Sequence, residues 1–166
     1  MKKKEGAIFA DSIYLTLEHK QKEEKNTKKI NQFLDNQGLG DWEVDSNYYD
    51  TEVYALKNDT TKEVVIVQRG TDGGNRGGKR DADVNADLYG VVLGKQKGDE
   101  NTDRAVADFY NSRTEKTENI VMGYDGTGYK IYGAGHSLGG ATFMNTMETS
   151  NVARDGISKV KLYSSL

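Results

Sequence analysis

Four consecutive β-branched apolar residues, Val64-Val65-Ile66-Val67, constrain the fold of this chain more than any other stretch. Successive side chains on a strand face opposite sides of its sheet, so an unbroken apolar run needs cover on both faces. That suits the central strand of an α/β sheet with helices above and below. Its surroundings fit. Residues 51–57 read as a strand, residues 58–61 (Asn-Asp-Thr-Thr) are turn chemistry, and residues 63–69 return as the second arm of a hairpin. Further along, residues 129–134 read as a strand, 138–149 as a helix and 160–163 as a strand, which predicts a parallel strand–helix–strand crossover. Residues 102–112 are expected to be helical, with Ala105, Val106 and Phe109 on one face. Near the N-terminus, Ile8, Phe9, Ile13, Leu17, Ile30, Phe33 and Leu34 recur at spacings close to three or four. This predicts one amphipathic helix or two, interrupted near Asn26 and ended by Gly38-Leu39-Gly40.

Composition narrows the function classes. The 166 residues suit one domain on the usual prior of roughly 100–200 residues. We read residues 1–40 as an N-terminal helical region and 50–166 as the core. The chain has no cysteine, which removes disulfides, thiolate catalysis and cysteine-ligated metal, and two histidines leave little material for a zinc site. Neither a metal nor a cofactor is expected. A net charge of −3 and mixed lysine and glutamate runs argue against general nucleic-acid binding. No stretch approaches the roughly 18 apolar residues of a membrane span. The apolar segment after Lys2-Lys3-Lys4 is broken by Asp11 and Glu18, unlike a signal peptide, so a cytoplasmic setting is expected. With no proline and 19 glycines, glycine must do the punctuation, and it clusters at residues 70–78, 123–128 and 133–140.

The last cluster carries the chemistry. Gly135-His136-Ser137-Leu138-Gly139 fits G-x-S-x-G, a weak pattern alone, but here it sits between an expected strand and an expected helix. A nucleophile elbow needs that context: small residues two before and two after the serine let the backbone turn sharply, leaving Ser137 exposed at the strand's end. The helix behind it offers free N–H groups to a developing oxyanion, and the Leu138 N–H is the natural first donor. A second donor is expected from a loop after an earlier strand, and Arg69-Gly70-Thr71 follows the apolar run.

These residues, V-V-I-V-Q-R-G-T at 64–71, D-V-N-A-D-L at 83–88 and Y-G-A-G-H-S-L-G-G-A at 132–141, resemble the class 3 (fungal-type) lipases of the α/β-hydrolase fold. The resemblance covers roughly residues 50–165. It implies a three-layer sandwich with a mostly parallel sheet, here lacking the C-terminal part. It also implies Ser137 as nucleophile, Thr71 as an oxyanion-hole residue beside Leu138, residues 72–87 as the lid region, and carboxylic esters or lipids as substrates. Asp87 is expected to steady the oxyanion loop near Thr71, and His136 to be a supporting elbow residue with its side chain turned from the serine. The charged lid region favours soluble or short-chain esters over a large lipid surface.

The family's triad runs Ser, Asp, His along the chain, whereas after Ser137 this sequence offers Asp155 and no histidine. His19, among lysines and glutamates, reads as a surface residue. Three arrangements are compatible: a piece of a longer hydrolase, a hydrolase-like interaction module without the triad acid and base, or a fold completed by a partner chain. Three rival motifs fail on particular residues. Residues 73–79 match the start of a phosphate-binding loop, but Arg80 stands where Ser or Thr must hold Mg²⁺. Asp81, Asp83, Asn85 and Asp87 begin like a calcium loop, but Ala86 replaces its glycine and Val92 its final glutamate. Gly133, Gly135 and Gly139 loosely resemble a dinucleotide fingerprint, but the next strand ends in Ser164-Ser165 instead of an acidic residue.

Overall fold

A computed structural model describes residues 2–12, 23–69, 100–136 and 138–163. Helices α1 (Lys3–Ser12) and α2 (Glu23–Asn36) precede strands β1 (Glu43–Tyr49), β2 (Val53–Asn58) and β3 (Glu63–Gln68). Helix α3 (Glu100–Tyr124), strand β4 (Lys130–His136), helices α4 (Leu138–Thr149) and α5 (Asn151–Gly156), and strand β5 (Ile157–Tyr163) follow. The five strands form one sheet in chain order, with β3 at its centre.

The sheet is mixed, where the resemblance implied a mostly parallel one. β1–β2 and β2–β3 pair antiparallel, while β3–β4 and β4–β5 pair parallel. The connections explain the division. Turns of a few residues can only reverse a strand, whereas crossovers carrying helices bring the next strand back in the same sense. The first turn is tied by Asp50, whose carboxylate accepts the Glu52 N–H at 2.9 Å. In the second, the buried Asn58 amide oxygen accepts the Thr60 and Thr61 N–H groups, each at 3.0 Å.

Period-two alternation sorts the strand residues into two cores. Tyr54, Leu56, Val65, Val67 and Ala134 meet Phe9, Ala10, Ile30 and Leu34 of α1 and α2, with Trp42 against Phe9 at a ring separation of 4.7 Å. Val53, Ala55, Val64, Ile66 and Ile131 meet Ile120, Val121 and Tyr124 of α3, Phe143 of α4 and Ala153 of α5. The result is three layers, helices–sheet–helices, with residues 64–67 fully buried between them. Each such side chain contributes about 1.5–3 kcal/mol through burial.

Two expectations change. Asn26 does not interrupt the N-terminal helices; it lies inside α2 and is buried. The helix expected over 102–112 spans Glu100–Tyr124, because its later half turns polar residues such as Arg113 and Thr117 inward. No helix among the described residues is long and apolar enough to cross a membrane.

Candidate active site

The carboxyl ends of β3, β4 and β5 lie at one edge of the sheet, with Gln68 opposite Gly135 and His136 opposite Tyr163. At this edge, β4 ends on His136 and α4 begins on Leu138, so the chain passes from strand to helix through one residue, Ser137. Ser137 itself lies outside the described residues, as do Thr71, Asp87, the expected lid at 72–87, the two rival loop motifs and His19. His136 is half-buried and Leu138 is buried in the first turn of α4.

The glycines flanking this turn have a geometric reason to be there. A Cβ on Gly135 would stand 2.6 Å from the Gly139 carbonyl oxygen, 2.8 Å from its carbonyl carbon and 2.9 Å from the Gly140 Cα. The strand end and the first helical turn touch backbone to backbone, as an elbow requires at the positions two before and two after its central residue. Two residues earlier in β4, Gly133 makes room for the ring of Phe143, so α4 also lies close to the strand there.

Beneath the turn runs a buried polar network. Gln68, fully buried at the end of β3, donates through Nε2 to Thr117 Oγ1 at 2.8 Å and to Thr146 Oγ1 at 3.1 Å. Thr146 Oγ1 donates to the Thr142 carbonyl at 3.1 Å, and Thr142 Oγ1 to the Gly139 carbonyl at 3.0 Å. Thr114 Oγ1 adds a contact of 3.1 Å to Thr146 Oγ1. Among the described residues Gln68 Oε1 has no partner, and an orphaned buried acceptor costs about 1–3 kcal/mol.

A charged cluster sits at the same edge. Arg113, 3% exposed, donates from Nε to the Arg69 carbonyl at 2.9 Å and stacks 3.5 Å from the centre of the Phe109 ring. It thus anchors the last described residue after β3. Burial pushes the Arg113 guanidinium down to about 10, against the pull of Glu52 at 3.6 Å. Glu52 also accepts from Lys116 at 3.0 Å and Ser112 at 2.9 Å, and Lys116 reaches Asp50 at 2.9 Å. Burial raises the Glu52 carboxyl, but these cations and the Ser112 hydroxyl outweigh it and hold it below the ordinary range.

The structure therefore brings Gly135, His136, Leu138 and Gly139 into one turn. Sequence reasoning missed Gln68, Thr142, Thr146 and Arg113. The one available signal was Gln68, a polar residue closing an otherwise apolar strand. No group of three His, Asp or Glu among the described residues is placed to hold a metal ion.

No curated protein and no solved structure matches this chain. A family model described as a domain of unknown function, DUF6792, matches residues 2–161. The chain belongs to that family.

Proposed function

We propose that this chain is a serine hydrolase of the lipase or esterase type, built on an α/β-hydrolase-like core and acting in the cytoplasm on lipid or short-chain carboxylic esters. The observation that carries the reading is the one-residue passage from β4 to α4, where the Gly139 backbone packs so near Gly135 that a Cβ there would stand 2.6 Å from its carbonyl oxygen. In this reading Ser137 Oγ gives its proton to a base and attacks the ester carbonyl carbon. The Leu138 and Thr71 N–H groups hold the negative oxygen. The carbonyl re-forms as the alkoxy C–O bond breaks, the alcohol leaves with a proton, and water then releases the acid from the acyl-enzyme. Short-chain p-nitrophenyl esters test this: turnover by the parent that disappears in Ser137→Ala supports the reading, and equal rates in both refute it.

The same turn admits a second reading. A hydrolase-like interaction module would keep the turn, tolerate Ser137→Ala, and leave the ester intact.

A further inference from the structure

The contacts around the β4–α4 turn close on themselves. Gln68 lies opposite Gly135 in the β3–β4 ladder. Gly135 abuts the Gly139 backbone. The Gly139 carbonyl accepts from Thr142, the Thr142 carbonyl accepts from Thr146, and Thr146 accepts from Gln68. From this ring we infer that Gln68 and Thr146 are positioning residues, which fix the first turn of α4 relative to the end of β3 and so hold the backbone on both sides of Ser137. Packing alone does not call for an amide here, since the four preceding β3 residues are apolar and fully buried. What an apolar side chain could not supply is a donor to both helices at once, Thr117 on α3 and Thr146 on α4. A fork of that kind fixes two helices on one strand end. Leu138, a proposed oxyanion donor, opens α4 beside this ring. Its placement matters, since misplacement of such a group by about 1 Å is expensive in rate.

The catalytic half of this inference rests on the hydrolase reading; the positioning half does not. Gln68→Leu keeps the volume and removes the fork. Thr146→Val removes one hydroxyl, and Thr146→Ser restores it. The full chain is followed by hydrogen exchange over peptides covering 135–146, with 53–67 as an internal control, and by the kinetics of fluorophosphonate labelling. Gln68→Leu and Thr146→Val are expected to raise exchange at 135–146 at least tenfold while the control segment stays protected. They are also expected to lower the maximal labelling rate at least tenfold at unchanged half-saturating probe, with Thr146→Ser close to the parent in both. Should Gln68→Leu fail to fold, the Thr146 pair decides. Unchanged exchange at 135–146 in a folded variant overturns the inference, as does an unchanged labelling rate where the parent labels. A parent that never labels removes the hydrolase reading instead, and exchange alone then judges the positioning role.

Discussion

Substituting Gly135 by alanine probes the turn most sharply, because the added methyl has no free direction. Its Cβ would lie 2.6 Å from one backbone atom and under 3.0 Å from two more, and backbone cannot rotate aside as a side-chain tip can. Regaining ordinary contact at 3.4 Å requires α4 to retreat from β4 by about 0.8 Å. That retreat strains the contact between Gly133 and the Phe143 ring and the bonds from Gln68 to Thr146. Overpacking of this kind costs about 1–3 kcal/mol, and contact with three backbone atoms places Gly135→Ala near the upper end. At about 2–4 °C per kcal/mol for a chain of this size, Tm should fall by roughly 6–12 °C. Gly140→Ala is the matched control. Its Cβ finds nothing nearer than 3.6 Å, its φ is not positive, and alanine gains up to about 1 kcal/mol over glycine within a helix. Thermal unfolding by circular dichroism should therefore show Gly135→Ala well below the parent and Gly140→Ala level with it or above. A Gly135→Ala protein that melts with the parent, or equal damage from both substitutions, would refute the close-packed turn.

Two further outcomes follow from the same structure. Ser150 caps α5 by accepting the Ala153 N–H at 3.0 Å and also donates to Glu118 at 2.5 Å; Ser150→Ala should cost about 1 kcal/mol in urea unfolding, and a loss below 0.3 would deny the cap its role. The lowered Glu52 carboxyl contributes stability that is present above the ordinary glutamate value and lost as pH falls through the lowered one. The urea midpoint should accordingly drop between about pH 5 and pH 3, and Glu52→Gln should be less stable at pH 6 and flatter across that window; a variant keeping the parent's full acid drop would clear Glu52 of responsibility.

The parts of the fold legible in the sequence were those with a strong local pattern. The Val64–Val67 run sits at the centre of the sheet, the Asn58 turn closes its hairpin, and α4 spans the expected residues 138–149. β1 was invisible because Glu43, Asp45, Ser46 and Asn47 suit turns better than strands. It is an edge strand whose existence depends on pairing with Leu56 and Lys57. The far half of α3 was hidden for a related reason: its inward face uses Arg113 and Thr117, whose burial is made tolerable by partners distant in sequence. The mixed sheet likewise follows from short turns before β3 that the resemblance to lipases did not weigh. At the site, the spacing of small residues around Ser137 was readable, since it reflects a local backbone requirement. The Gln68–Thr146–Thr142 network was not, because it joins residues as many as 78 positions apart.

The central claim, an activated serine at the β4–α4 turn, is tested most directly by treating the full chain with a fluorophosphonate and reading intact mass beside Ser137→Ala. The account predicts one adduct on the parent and none on the variant. A folded parent that takes up no probe, or a variant that labels equally, would contradict it.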